Sequence, residues 1–301
     1  MKKHLICLFI LINIAIFSKG ESSWRFEHAF LFGSADEIVY KSGGEKLSEL
    51  IWGLEDVRLI GIGHTYKFNV YFKINGDLFI NYNQPMTEMD NYDWLQDRPE
   101  WTHWSNSPTE IERVIKFDMN LEFKLFTKNN FEISLLGGYK YDMFSWVARG
   151  GRYIYSSKGG FRDQLGELPS NVDGISYNQY FYLPYLGLGA NYSYNNFIVN
   201  GKFLYSSMVE AQDEDTHHFR DLYFEGFFNN GEMLQIDLGM KYQFNSNFSL
   251  LASYEYTKYF LNKGYTVITD LGSGQQGFTG DGSVGLANYH NMLSFGIEYM
   301  F

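Results

Sequence analysis

Apolar and polar residues alternate along several long stretches of this chain. Residues 114–126 read VIKFDMNLEFKLF, and residues 233–244 read MLQIDLGMKYQF. In each stretch every second side chain is apolar, and nearly all of the intervening ones are polar or charged. Successive side chains of a β-strand point to opposite faces, so each stretch predicts a strand with one apolar face and one polar face.

The length of these stretches favours one of two architectures. A soluble sandwich turns its apolar face to a core, whereas a transmembrane barrel turns it to lipid and lines its interior with the polar face. The stretches reach or exceed the ~9–11 residues with which a tilted strand crosses a bilayer, and strands of soluble proteins are nearer ~5–6 residues. The sequence therefore predicts an all-β, antiparallel transmembrane barrel.

Ten long strands are predicted, joined alternately by short and long connections. The strands are expected at 24–40, 45–63, 67–82, 113–127, 131–155, 177–194, 197–212, 222–245, 248–262 and 288–301. Short turns are expected at 64–66, 128–130, 194–196 and 245–247, and long links at 83–112, 156–176 and 263–287, with a shorter one at 41–44. Short periplasmic turns and long extracellular loops are typical of outer-membrane barrels.

The polar faces of these strands predict what fills the barrel. A barrel of about ten strands is largely filled by its own side chains, which disfavours a wide pore. Charged residues on the polar faces are therefore interpreted as ion pairs inside the lumen, namely Lys116, Asp118, Glu122, Lys124, Asp237 and Lys241.

Both ends of the chain carry export signals. Two lysines and an apolar run over residues 5–17 have the pattern of a secretory signal peptide. We expect residues 1–20 to be removed and residues 21–301 to form a single barrel. The last strand alternates up to Phe301, which looks like the signal that the barrel assembly machinery of bacterial outer membranes recognises. The only cysteine, Cys7, lies in the leader, so the mature chain needs no disulfide.

The net charge of the chain limits the classes of molecule that it is expected to bind. It has 35 acidic residues against 24 lysines and arginines, a formal net charge of −11. Such a surface repels nucleic acid, so no nucleic-acid partner is predicted. A cationic peptide or protein is a more natural partner.

Two clusters of chemically active residues fall at the same end of the predicted barrel. One is the stretch DEDTHH at residues 213–218, and the other is MDNYDW at residues 89–94. The strand period places Asp213, Asp215 and His217 on one face if the strand continues. The stretch fits one wall of a hydrolytic cleft, a solvated loop or a metal site. The metal interpretation is disfavoured because adjacent histidines on a strand point apart, and we predict no metal.

Further motifs carry a resemblance to a known family. They are YDW at 92–94, EWT at 100–102, GY at 138–139, ARGGRYIYSS at 148–157, GFRD at 160–163 and D-x-D-x-H at 213–217. The mature chain resembles the omptin family, outer-membrane proteases of Gram-negative bacteria. The resemblance implies a ten-stranded barrel in the outer membrane, with the groove of an aspartic-type endopeptidase at its extracellular end.

The resemblance also implies roles for residues on one wall of that groove. Asp215 and His217 correspond to the catalytic pair, in which the carboxylate orients the imidazole and the imidazole acts as base toward a water. Glu37 and Asp213 correspond to a pocket for Arg or Lys at the P1 position of the substrate. On the P1′ side, His103 stands where the family has an aspartate, which weakens the case for a strictly dibasic cut.

The opposite wall departs from the family pattern. The family has two aspartates spaced D-x-D, and this chain has Asn91 and Asp93 there. An amide can hold a water but carries no charge and is not a useful base. Asp90 could substitute only if the strand shifted by one residue. The chain is therefore predicted to be either an endopeptidase or a catalytically impaired barrel that acts as a surface adhesin or binding protein; a small channel is the third hypothesis.

No bound cofactor is predicted, but the resemblance implies a requirement for lipopolysaccharide. The family grips this lipid with basic residues on the outer wall of the barrel. Met143 and Tyr180 stand at those positions, with Asn229 as a further match, and only Tyr139 persists. Tyr141 stands where an acid is usual. These differences weaken the predicted lipopolysaccharide requirement.

Overall fold

The computed structural model describes residues 20–96 and 98–301, which are almost entirely antiparallel β-strand. The predicted signal peptide lies outside these residues except for Gly20. A single 3-10 turn, His218–Arg220, is the helical element assigned there, and no described helix could span a membrane. The strands are β1 (Glu21–Tyr40), β2 (Lys46–Lys67), β3 (Phe72–Asn81), β4 (Met86–Asp93), β5 (His103–Lys128), β6 (Phe131–Tyr155), β7 (Gln164–Tyr194), β8 (Phe197–His217), β9 (Leu222–Gln243), β10 (Phe248–Asp270), β11 (Gln276–Phe278) and β12 (Val284–Met300).

The sheet closes on itself. Strand β1 pairs with β12 along one edge and with β2 along the other. Strands β3 and β4 both lie between β2 and β5 and so share one position, while β11 pairs only with β10. The remaining strands follow one another in sequence order, which gives a ring of ten positions. The predicted ten-stranded antiparallel barrel is confirmed.

The turns at one end are short, and asparagine makes two of them. Asn129 and Asn195 take positive φ angles of 54° and 52° between strands that pair up to the turn. Asparagine tolerates this left-handed conformation better than most residues, which suits two-residue hairpins. The turn predicted at 64–66 is wrong. Those residues lie in β2, where Thr65 donates a hydrogen bond to Asn75 inside the barrel, and the chain reverses after Lys67.

The long links at the opposite end are mostly strand, which corrects the predicted boundaries. The link 83–112 contains β4 and the start of β5, 156–176 contains the start of β7, and 263–287 contains the end of β10. Above the membrane the outer face meets water, so the apolar alternation that marks a lipid-facing strand is lost there. Strands β5, β6 and β7 have 26, 25 and 31 residues, more than twice the ~10 needed to cross a bilayer.

A belt of exposed apolar side chains marks the membrane-spanning part. It surrounds the half of the barrel nearer the short turns, on faces that no other described segment covers. Lipid contact removes this area from water. The belt includes Phe26, Phe30 and Phe32 on β1, Ile60 and Ile62 on β2, Leu186 and Leu188 on β7, Phe203 and Tyr205 on β8, Leu238 and Met240 on β9, and Phe295 and Ile297 on β12.

The interior at the level of the belt is polar and contains paired charges, but two of the predicted members, Asp118 and Asp237, accept hydrogen bonds from Tyr185 and Gln235 and have no lysine or arginine nitrogen of the described residues within 4.0 Å. Lys116 lies 2.7 Å from Glu255 and 3.5 Å from Asp142, and Lys73 lies 2.9 Å from Glu122. Lys241 pairs with Glu298. A cavity of about 900 Å³ runs among these groups toward the short turns.

A layer of aromatic side chains closes the interior above that cavity. Phe181 and Tyr259 stack with ring centroids 3.9 Å apart, and Trp52 stacks on Tyr177 at 4.9 Å. All four are buried in one core cluster. This layer separates the cavity from the opposite end of the barrel, which argues against the channel hypothesis. It also forms the floor on which the two predicted clusters stand.

The interior ion pairs are expected to matter more than those on the surface. Lys116→Met should lower the free energy of unfolding by about 3–5 kcal/mol, because Glu255 and Asp142 would lose a close cation within a buried site. The control is Lys67→Met, which removes an exposed pair with Glu21 and should cost at most about 1 kcal/mol. Urea unfolding in detergent, followed by tryptophan fluorescence, compares the two, and equal losses would contradict this expectation.

Candidate active site

The end of β8 carries an acid–imidazole pair. Asp213 and Asp215 are buried, with exposures of 7% and 2%, and face the interior. The Nε2 atom of His217 lies 2.7 Å from Oδ2 of Asp215. On the other face Glu214 accepts a hydrogen bond from Tyr180, and His218 bonds to Ser176. The strand continues to His217, so the predicted split of DEDTHH between two faces is confirmed.

Glu37 joins this wall from β1. Closure of the barrel brings its carboxyl into hydrogen-bonding contact with Asp215. Glu37 Oε2 and Asp215 Oδ1 are both buried, and neither accepts a hydrogen bond from any N–H or O–H group of the described residues. In residues 20–96 and 98–301, no lysine or arginine nitrogen lies within 4.0 Å of Glu37, Asp213 or Asp215. The wall therefore has three carboxyl groups and one imidazole.

Asp213 is held differently from the other two carboxyl groups. Its Oδ2 accepts a hydrogen bond of 3.2 Å from the hydroxyl of Tyr177, and the backbone N–H of Gly226 donates another. A Cβ atom at Gly226 would lie 2.1 Å from Oδ1 of Asp213, so only glycine leaves room for the carboxylate. The Tyr177 hydroxyl in turn accepts from Gln179, which bonds to Asn288.

Asn91 and Asp93 lie on the facing wall, on the inward side of β4. The hydroxyl of Ser48 donates a 3.2 Å hydrogen bond to Oδ1 of Asn91. Asp93 lies close enough to His217 for their charges to interact across the cleft. His103 is opposite Asp93 in the β4–β5 ladder, and its ring packs 4.8 Å from that of Tyr155. The structure thus gathers the predicted site residues at one end of the barrel.

Asp90 does not replace Asn91. Strand β4 is regular, so Asp90 points to the outer face. There its Oδ1 accepts hydrogen bonds of 3.0 Å from Trp104 Nε1 and 3.2 Å from Asn106 Nδ2. The one-residue shift that would bring Asp90 into the cleft would break these bonds and reverse every side chain of the strand.

Burial controls the protonation of this site, which lies beyond the apolar belt. Burial raises the pKa of Glu37 and of Asp215 well above the usual range and raises that of Asp213 to about 7. Burial likewise lowers the pKa of His217 and raises that of Asp93. Each shift favours the neutral form, because few opposite charges are at hand to stabilise ions taken out of water.

Three residues that position the site escaped prediction. Tyr177 holds Asp213, and Ser48 holds Asn91. Arg220 lies near enough to Asp215 and His217 for its charge to affect both. The strand period gives a signal for Tyr177 alone, since it shares the inward face of β7 with the buried Gln179 and Phe181. Nothing in the local sequence indicates the other two.

The outer wall of the barrel has no basic residues at the two positions, Met143 and Tyr180, that correspond to the lipid-binding residues of the family. Met143 on β6 and Tyr180 on β7 are directly opposite each other in the ladder. The rings of Tyr141 and Tyr182 lie 5.1 Å apart, two residues closer to the membrane belt. Tyr180 bonds to Glu214, so this surface is aromatic and acidic.

The lowered basicity of His217 can be measured directly. We expect its imidazole to titrate below the value of the same residue in the urea-unfolded chain, because burial penalises the cation. The unfolded chain then binds the proton first, so stability is full above the unfolded pKa and is lost as the pH falls through the folded one. Histidine NMR titration, assigned with His217→Gln, tests this, and a folded pKa above the unfolded one would contradict it.

Comparison with known proteins identifies the family. The chain matches the Omptin family over residues 23–301. It is 30% identical to the plasminogen activator of Yersinia pestis over 274 residues, covering 90% of this chain and 86% of that protein. It is 28% identical to the outer membrane protease OmpP of Escherichia coli, covering 90% and 87%.

A solved structure gives the same result for the fold. The crystal structure of the outer membrane protease OmpT from Escherichia coli superposes with a TM-score of 0.90 at 26% identity, covering 95% of this chain and 98% of that one. This chain therefore belongs to the omptin family of outer-membrane proteases and is a β-barrel of the Gram-negative outer membrane.

Proposed function

We propose that this protein is an endopeptidase of the extracellular surface that cleaves next to Arg or Lys at P1 with a water activated by Asp215 and His217. The contact of 2.7 Å between His217 Nε2 and Asp215 Oδ2 carries the proposal. It lies beside the buried carboxyl group of Asp213 and the partly buried one of Glu37, neither of which has a lysine or arginine partner among the described residues. Such an assignment makes the protein an omptin-type, aspartic-type endopeptidase.

The geometry of His217 suits a base. With Nε2 directed at Asp215, the other ring nitrogen, Nδ1, is left to accept a proton from a water in the cleft. Asp215 fixes this tautomer and supports the imidazolium that forms. The water then attacks the peptide carbonyl without a side-chain nucleophile. Asn91 and Asp93 face this water from the other wall, where the amide of Asn91 orients it but does not take its proton.

The two remaining carboxyl groups suit a basic P1 side chain. A guanidinium or ammonium group placed between Glu37 and Asp213 would supply the positive charge that the wall lacks. On the P1′ side, His103 adds no fixed negative charge, so we propose that the preference for a basic residue is confined to P1. The acidic net charge of −11 favours association of the chain with cationic peptides.

The alternative is a catalytically impaired barrel that binds proteins through its outer end. Asn91 favours it, because the amide held by Ser48 brings no charge to the wall that faces His217. Without that charge the basicity of His217 has one support fewer.

The central experiment separates enzyme from binder. The mature chain is refolded in detergent and assayed on peptides with Arg or Lys at P1. His217→Ala should lower kcat by about 10²-fold or more, the usual range for losing a general base, and Asn91→Asp should raise kcat because it adds a charge facing His217. Asp90→Asn is the matched control on the outer face of the same strand and should leave activity unchanged.

Each outcome of that experiment has one meaning. Cleavage by the natural chain that is lost in His217→Ala supports the endopeptidase. Cleavage by Asn91→Asp alone supports the impaired binder. Cleavage that survives His217→Ala overturns the mechanism. The same assay with and without lipopolysaccharide tests our further proposal that activity depends little on this lipid, since Met143 and Tyr180 offer no positive charge to its phosphates.

The pH dependence tests the role of Asp213. Its pKa of about 7 means that the charged form needed to bind a P1 cation appears as the pH rises through neutrality. We expect kcat/KM for Arg at P1 to rise across this range. Asp213→Asn should remove that rise and lower kcat/KM at least about tenfold, equivalent to about 1.4 kcal/mol. A flat profile in the natural chain, or the same rise in Asp213→Asn, would rule out this role.

A further inference from the structure

The contact between Glu37 and Asp215 requires a proton. The two carboxyl groups are close enough for a side-chain hydrogen bond, and one oxygen of each, Glu37 Oε2 and Asp215 Oδ1, is buried without a hydrogen-bond partner. Two carboxylate oxygens both accept hydrogen bonds and repel each other, so the contact is favourable only if one of them carries hydrogen. Asp215 is only 2% exposed, so water does not readily satisfy the free oxygen.

The proton belongs on Glu37 rather than on Asp213 or Asp215. Asp213 already accepts hydrogen bonds from Tyr177 and from the backbone of Gly226, which stabilise its anion. Asp215 accepts one from His217 through Oδ2, which leaves Oδ1 as an acceptor for Glu37. Glu37 has only the indole of Trp52 nearby, and this makes no hydrogen bond of standard geometry. Glu37 is thus the carboxyl group with the weakest support for a charge.

The groups around Glu37 and Asp215 supply little positive charge. The titratable groups that face it are Asp213 and His217 of β8, Tyr177 of β7, Asp93 of β4 and Arg220 of the 3-10 turn. The other neighbours, Trp52 of β2 and Phe224 of β9, do not titrate. Arg220 is exposed and acts at a distance, since it forms no ion pair with these carboxyl groups.

We propose that protonated Glu37 donates a hydrogen bond to Asp215 until a substrate binds, and that the positive charge of the P1 side chain expels this proton to solvent and thereby makes His217 a stronger base. This inference rests on the proposed function, because it assumes that P1 is basic. The bond that breaks is the O–H of Glu37, and the bound cation balances the charge left behind. Asp215 then loses a competing hydrogen bond on Oδ1 and interacts more strongly with His217.

Two consequences follow for catalysis. The residue that recognises the substrate also switches on the base, so a basic P1 side chain raises kcat and not only affinity. A neutral isostere of arginine, such as citrulline, leaves the proton on Glu37 and His217 weakly basic. Recognition of a basic P1 side chain and activation of His217 then occur together, so the site has low activity when an uncharged peptide occupies the cleft.

Proton release on binding provides the test. Argininamide is titrated into the refolded barrel by calorimetry in buffers of different ionisation enthalpy, at about pH 8, where Asp213 is already mostly charged. The natural chain should release about one proton per bound probe, and Glu37→Gln close to none, because its amide donates to Asp215 permanently. Glu214→Gln, on the outer face of the same strand as Asp215, is the matched control and should behave as the natural chain does.

The pKa of His217 gives a second test. The proton switch and simple binding of a cation are expected to shift this pKa in opposite directions. A cation added beside a fixed set of charges lowers the pKa of a neighbouring imidazole. Exchange of the Glu37 proton for the cation leaves the net charge of the wall unchanged, and the lost hydrogen bond on Asp215 Oδ1 then raises the pKa of His217 by strengthening its interaction with Asp215. We therefore expect the NMR titration of His217 to move to higher pH when argininamide binds to the natural chain but not to Glu37→Gln.

The outcomes distinguish this inference from the proposed function. Binding without proton release, equal release from Glu37→Gln, or a lowered pKa of His217 would overturn the proton switch and leave the basic P1 pocket intact. Absence of argininamide binding at any concentration up to the millimolar range would overturn the pocket and the switch together.

Discussion

A carboxylate that is removed from water needs either a positive partner or a proton, and this barrel meets the need in two ways. In the membrane-spanning half, lysines supply the charge, either across the barrel, as Lys116 does for Glu255, or from a neighbouring strand, as Lys73 does for Glu122. At the outer end the described residues place no lysine or arginine against Glu37, Asp213 or Asp215. The acidic groups of the interior are thus neutralised by lysines in the membrane-spanning half and left without such partners at the outer end, where a substrate can enter.

This contrast depends on closure of the sheet. Glu37 and Asp215 lie on β1 and β8, which are not neighbours in the ring. They meet because both strands turn the same face inward and because the ring is small enough for side chains to touch across it. The aromatic layer around Trp52 and Tyr177 fills the space below and keeps the contact dry. Rigid strands rather than loops therefore carry the groups that the proposed chemistry uses.

Period-two alternation together with the length of the alternating stretches was enough to predict the barrel, and the alternation alone predicted the faces of β8. Asparagine pairs marked two tight turns for an equally local reason, the tolerance of Asn129 and Asn195 for positive φ. The extents of the strands beyond the membrane were missed, since a strand wetted on its outer face has no apolar alternation. The contacts of Glu37 with Asp215 and of Tyr177 with Asp213 depend on the stagger of non-adjacent strands, which no local pattern encodes.

The amide at Asn91 makes the basicity of His217 depend on the acidic wall that carries it. A carboxylate at this position would place further negative charge before His217 and raise its basicity whether or not a substrate is bound. The amide, held by Ser48, contributes no such charge. His217 then depends more heavily on the charges of its own wall, and those are governed by the proton on Glu37 in the mechanism proposed above. The substitution that weakens the base in the free protein would therefore make its activity depend more strictly on a basic P1 residue.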